Sequence, residues 1–143
     1  MSKNNARLEL KSISDNIGLA RVTVASFAAQ LDFTISEIEE IKVAVSEAVS
    51  NAIIHGYQEK GGTIGINLEI DGDKLIIEVE DSGQGISNIE QACEPSYTTA
   101  DRMGLGLVFI DSFMDELSID SELEQGTKVR MVTSPEKTEK KAN

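Results

Sequence analysis

The run from Thr34 to His55 limits the fold of this chain more than any other stretch. Thr34 with Glu37 three residues later predicts a capping box, in which each side chain satisfies a free backbone N–H of the other residue. No Gly or Pro then interrupts the run until Gly56. As a helix it would span roughly 33 Å at ~1.5 Å per residue. Ile38, Ile41, Val45, Ala48, Val49 and Ala52 recur at three- and four-residue spacing and form an apolar stripe. At ~100° per residue Glu47, Asn51 and His55 share another face, roughly opposite that stripe. Taken alone, this line of acid, amide and imidazole is also what the wet side of an amphipathic helix looks like.

The elements around this helix predict the layer that buries its stripe. Residues 6–12 alternate as a half-buried strand does. Ser14-Asp15-Asn16 can cap a helix running to about Gln30, with Leu19, Val22, Phe27 and several alanines on its apolar side and Arg21 projecting elsewhere. Gly56 to Gly62 reads as a loop. Thr63–Ile70 and Lys74–Glu80 alternate as β-type runs around Asp71-Gly72-Asp73, a hairpin signal. Asn88–Glu94 is expected to form a short helical turn, Pro95–Met103 a mobile flap, and Gly104–Phe113 a helix. Glu116–Ser121 and Thr127–Val132 pair as a final hairpin across Glu124-Gln-Gly126. The expected fold is α+β, a two-layer α/β sandwich with helices on one face of a mixed, mostly antiparallel sheet. It makes one domain over residues 1–132, followed by a Lys/Glu-rich disordered tail over 133–143.

Twenty-five Asp and Glu against 13 Lys and Arg give a formal charge of −12. Such a surface repels phosphate backbones and disfavours direct nucleic-acid binding. No apolar run reaches the ~18 residues of a membrane span, and Met-Ser-Lys-Asn-Asn is not a signal peptide, so a cytoplasmic location without membrane contact is expected. The single cysteine, Cys93, cannot form an internal disulfide and reads as packing.

Four short motifs follow in order: Glu47-x-x-x-Asn51, Asp81-Ser-Gly83-Gln-Gly85, Gly104-Leu-Gly106-Leu107 and Gly126-Thr127. Each is weak alone. In this order, with suitable elements between them, they resemble the ATP-binding module of gyrases, Hsp90, sensor histidine kinases and MutL, the GHKL (Bergerat) superfamily. No Gly-x-x-x-x-Gly-Lys-Ser/Thr segment occurs, which disfavours a Walker-type NTPase. In the site so implied, Asp81 at a strand end can accept from an exocyclic amine such as adenine N6, with Gly83 and Gly85 letting the base lie against the backbone. The other reading is an ordinary Asp-Ser-Gly turn. Gly104 and Gly106 precede a helix whose free N–H groups can seat phosphate, or they form a hinge. Asn51 offers a neutral hard oxygen to Mg²⁺, and Glu47 can orient a hydroxyl near the γ-phosphate and take its proton. Either is otherwise a helix-surface residue. Arg102 can stabilise phosphate charge or be a solvated flap residue. Thr98 and Thr99 lie on the flap. His55 shapes the site or is structural, and Thr127 reaches the base edge or serves the turn.

A narrower resemblance rests on Ala20-Arg-Val-Thr-Val-Ala-Ser-Phe27, on Val45–Tyr57 and on Phe113–Ser121. Over about residues 6–132 the chain looks like the anti-sigma F factor family of endospore-forming bacteria, more than the related general-stress kinases. This resemblance implies a dimeric switch that binds a sporulation sigma factor. It also implies that the switch uses ATP and Mg²⁺ to phosphorylate a serine on an anti-anti-sigma protein, the antagonist, which in its unphosphorylated form meets the ADP- or ATP-bound kinase and displaces the sigma factor. It further implies Glu47 as base, Asn51 as Mg²⁺ ligand, Asp81 as adenine contact and Arg21 as the arginine that meets both protein partners. One departure is a short flap: only Ala100-Asp101 separates Thr98-Thr99 from Arg102, which bears on phosphate coverage and kinase rate. The rivals are a nucleotide-binding module that only sequesters, a gyrase- or MutL-type ATPase, which usually needs further domains, and a sensor histidine kinase core without its phospho-acceptor helix.

Overall fold

Alternating apolar side chains build a sheet with one dry face. In the computed structural model, which describes residues 3–56, 62–82, 110–122 and 126–135, five strands run in the order β1-β2-β3-β5-β4, every neighbouring pair antiparallel. They are β1 (Lys3–Lys11), β2 (Thr63–Asp71), β3 (Lys74–Asp81), β4 (Glu116–Glu122) and β5 (Gly126–Thr133). The expected α+β sandwich is thus found, with a wholly antiparallel sheet among the described residues. Ile64, Ile66, Leu68 and Ile70 on β2 and Leu75, Ile77 and Val79 on β3 are buried. Val129 and Met131 on β5 continue the same face. β1 starts three residues before the run that alternates in sequence. The hairpin turns at Gly72, whose φ of +68° is the left-handed value that a two-residue turn needs there. Thr133, expected to open the tail, instead closes β5 opposite Leu75 and is buried.

Two helices, α1 (Ile17–Ala28) and α2 (Ile35–Asn51), pack on each other and supply much of the rest of the core, to which Leu10, Leu31, Ile53, Ile110 and Met114 add. The capping box at α2 is present: Glu37 N–H donates to Thr34 Oγ1 at 3.1 Å, and Thr34 N–H donates to Glu37 Oε1 at 2.8 Å. α1 begins differently from the sequence expectation. Ser14–Asn16 form a 3₁₀ turn, and Asn16 Nδ2 donates back to the Lys11 carbonyl at 2.9 Å instead of capping the helix. The face of α1 that packs matches the expected one only in part, at Phe27 and the alanines. Ala20, Val24, Phe27 and Ala28 are buried, whereas Leu19 is 51% and Val22 65% exposed. Apolar residues lie on most sides of this helix, so periodicity alone does not say which side meets α2. Residues 110–113 are helical and end at Phe113 as expected, with Met114 N–H bonded to the Ile110 carbonyl at 3.1 Å. The expected turn at Asn88–Glu94, the flap, Cys93 and residues 104–109 of the third helix lie outside the described residues.

Candidate functional site

The last turn of α2 is enclosed on nearly every side. Ala48, Val49, Ser50 and Asn51 are all buried. Asn51, expected on a face roughly opposite the stripe, is only 5% exposed, and neither its Oδ1 nor its Nδ2 has a hydrogen-bond partner among the described residues. An amide buried without partners costs about 1–3 kcal/mol, so it is an unusual residue to keep inside. Glu47, four residues earlier on the same α-helical line, is half-buried. The helix then changes character: Ala52–Gly56 form a π-helical turn. Its i→i+5 bonding ends the one-per-turn α spacing, so the single line expected for Glu47, Asn51 and His55 applies only to the first two. The side chain of His55 lies outside the described residues. The π turn packs on β3 and β5, so the end of α2 lies over the two strands that carry Asp81 and Thr127.

Those strands bring Asp81 and Thr127 into register as a cross-strand pair. Asp81 is the last residue of β3 and half-buried, as expected for a strand-end carboxylate, and it has polar partners of its own. Thr127 Oγ1 lies 2.8 Å from Ser121 Oγ on β4, its register partner, and Ser121 Oγ donates to the Gly126 carbonyl at 3.1 Å. Gly126 has φ +120°, and a Cβ there would run into the Asp81 carbonyl and the Ser82 Cα. The Gly126-Thr127 motif is therefore a close backbone approach that fits only glycine. Ser121 went unnoticed in the sequence because a serine on an alternating strand has nothing to distinguish it.

A cavity of about 540 Å³ opens beside this end of the sheet, lined in part by Asp81, Ser82, Gly126 and Thr127. Its other wall is the polar face of the sheet, turned away from α2. There Arg7 reaches across Gly65 to Glu80 (2.9 Å), Asn67 (2.6 Å) and Glu9 (3.1 Å). The hydrogen bonds that Arg7 donates to Glu80 and Glu9 raise its pKa above the ordinary value. Lys128 and Arg130 continue this charge lattice toward Glu80 and Glu78. Asp81 and Thr127 line this cavity, whereas Glu47 and Asn51 do not.

Arg21 on α1 lies apart from these strands. It is half-buried, its Nε is buried without a partner, and the exposed Leu19 and Val22 stand close by in sequence. Gly83, Gly85, Thr98, Thr99, Arg102, Gly104 and Gly106 lie outside the described residues. Among the described residues there is no group of three or more His, Cys, Asp or Glu that could hold a metal. The orphaned Asn51 oxygen nevertheless fits the kind of cation that takes one protein ligand and completes its shell with phosphate and water oxygens.

Residues 11–133 match the family model described as a histidine kinase-like ATPase domain. An anti-sigma F factor from Clostridium acetobutylicum is 50% identical over 134 residues, covering 92% of this chain and 94% of that protein. One from Thermoanaerobacter sp. is 51% identical over 131 residues, covering 90% and 92%. Among solved structures, the RsbU and RsbW domains of a Mycobacterium tuberculosis protein align with a TM-score of 0.68 at 22% identity, over 92% of this chain and 32% of that one. At that identity the likeness speaks for the fold alone. A five-stranded antiparallel sheet under α2, a match to the family model over most of the length and half-identity to these relatives end to end lead to one assignment: the chain belongs to the anti-sigma F factor family, built on a histidine kinase-like ATPase domain.

Proposed function

We propose that this chain is an ATP-dependent protein-serine kinase that also sequesters a sporulation sigma factor, acting in the cytoplasm as a homodimer. The observation that carries the kinase reading is Asn51, buried with both amide atoms unpaired, one helical turn after Glu47. A structural amide in that position would find a partner; a ligand-binding one keeps its oxygen for the ligand. Bound Mg²⁺ supplies charge neutralisation between the phosphates of ATP. Asn51 Oδ1 would hold that cation. Glu47, half-buried on the same line, accepts the proton of a partner's serine hydroxyl as its oxygen bonds to the γ-phosphorus and the γ-phosphorus–oxygen bond to the β-phosphate breaks, with ADP as the leaving group. Asp81 accepts from the adenine amine, with Gly126 keeping the strand ends close enough for Thr127 to stand beside it. Arg102, Thr98 and Thr99 neutralise and cover the phosphates, and Gly83, Gly85, Gly104 and Gly106 let base and phosphates approach the backbone. His55 borders the site.

The anti-sigma F name of the relatives supports a sigma factor as one partner. The second partner is the anti-anti-sigma protein, phosphorylated on serine. Arg21, beside the exposed Leu19 and Val22, is the contact to both. The test is transfer of labelled γ-phosphate from Mg-ATP to that antagonist, with the wild-type chain and Glu47→Ala compared. Label on an antagonist serine that disappears in Glu47→Ala, while nucleotide binding remains, supports the reading. A wild-type chain that binds ATP and the sigma factor but transfers nothing is a sequestering module, a reading that the short segment between Thr99 and Arg102 favours.

A further inference from the structure

Two successive rows on the face of the sheet that meets the helices are apolar throughout. Ile77, Met131 and Leu117 form one cross-strand row, and Val79, Val129 and Ile119 form the next. The row after that is Asp81, Thr127 and Ser121. Side chains in register on neighbouring strands act as direct neighbours, so three polar groups replace three apolar ones where the candidate base-binding edge begins. We infer that Ser121, to which no role has been given above, is a positioning residue: it takes the hydroxyl proton of Thr127 and thereby makes the site favour a 6-amino purine over a 6-oxo purine. The inference rests on the nucleotide site proposed above.

The argument is one of counting protons. A serine hydroxyl has one to give. Ser121 gives it to the Gly126 carbonyl at 3.1 Å, an atom that can only accept. The 2.8 Å contact between Ser121 Oγ and Thr127 Oγ1 is then a bond that Thr127 donates. With its proton so committed, Thr127 Oγ1 presents lone pairs alone. Its cross-strand neighbour Asp81, as a carboxylate, also only accepts. An edge with two acceptors side by side suits an exocyclic amine, which brings two protons. A 6-oxo group brings two lone pairs and meets lone pairs. Without the Ser121 oxygen, the Thr127 proton is released and can turn toward a 6-oxo group.

The experiment is titration calorimetry on the full chain with ATP and with inosine triphosphate, in the presence of Mg²⁺, for wild type, Ser121→Ala and Ser121→Thr, with thermal melting to check the fold. The expected result is a wild-type preference for ATP, a fall in the ATP-to-ITP affinity ratio of about tenfold in Ser121→Ala, the scale of one hydrogen bond, and recovery in Ser121→Thr, which keeps the hydroxyl. A purely structural role would weaken both nucleotides alike and leave the ratio unchanged, which overturns the inference. A wild type that binds both nucleotides equally also overturns it while the nucleotide site stands. A wild type that binds neither overturns the nucleotide site, and Ser121's role with it. If Ser121→Ala does not fold, Ser121→Cys, whose sulfur is a poor acceptor, carries the same comparison with the same two outcomes.

Discussion

Asn51 carries most of the information at the scale of single residues. Its partnerless burial costs the nucleotide-free protein free energy that an apolar side chain of similar size would not. Asn51→Leu is therefore expected to raise the melting temperature of the nucleotide-free chain, by roughly 2–4 °C for ~1 kcal/mol, and to abolish Mg²⁺-dependent nucleotide binding. Melting curves with and without Mg-ATP check both halves. A drop in stability would mean that the amide has partners in solution and is structural. Arg21 makes the opposite test. Arg21 is on α1 and does not line the cavity beside Asp81 and Thr127, so Arg21→Ala should leave ATP affinity within about twofold and weaken capture of the sigma factor and antagonist, read by pull-down with each purified partner.

At the scale of elements, α2 and the β3–β5 pair are the parts to perturb. The capping box fixes where α2 begins and so where Glu47 and Asn51 fall. Thr34→Ala should cost about 1 kcal/mol, a fall of roughly 2–4 °C in melting temperature, with nucleotide affinity unchanged because the lesion lies more than three turns from Asn51. Gly126 locks the strand ends. Gly126→Ala combines a left-handed φ with a collision against the Asp81 backbone and should destabilise by about 2–4 kcal/mol while lowering ATP affinity, measured by denaturant titration and calorimetry. The capping box and the two hairpins were legible in the sequence, because each is a local pattern: Thr-x-x-Glu, alternation, and a Gly-Asp turn. The π turn at Ala52–Gly56 and the 3₁₀ entry to α1 were not, since no local residue pattern separates them from ordinary helix.

At the scale of the whole molecule, the acid-rich composition and the helix-over-sheet layering describe a small chain for which a nucleotide site at one end of the sheet is proposed. Among the described residues no helix is long and apolar enough to cross a membrane. If the site holds Mg-ATP only in the folded state, a hundredfold excess over Kd should add about 2.7 kcal/mol to stability. Melting curves with ATP should then shift upward in proportion to the logarithm of its concentration and fall back on chelation with EDTA. A chain that shows no shift does not bind nucleotide through its folded form.

The sequence by itself determined the two helices and five strands of the described residues, their order, the α+β layering and the family resemblance, because alternation, capping and motif order are written in neighbouring residues. It also named Glu47, Asn51, Asp81 and Thr127 as candidates. Only the tertiary structure decided that α1 buries Ala20, Val24, Phe27 and Ala28 and leaves Leu19 and Val22 exposed, since that depends on which helix face meets α2. It alone decided between a helix-surface and an enclosed Asn51, burying the amide without partners among the described residues, and it alone placed Ser121 beside Thr127, six residues away along the chain but its direct neighbour across β4 and β5. Burial and register are set by what packs from elsewhere in the chain, and periodicity along one segment carries no record of it.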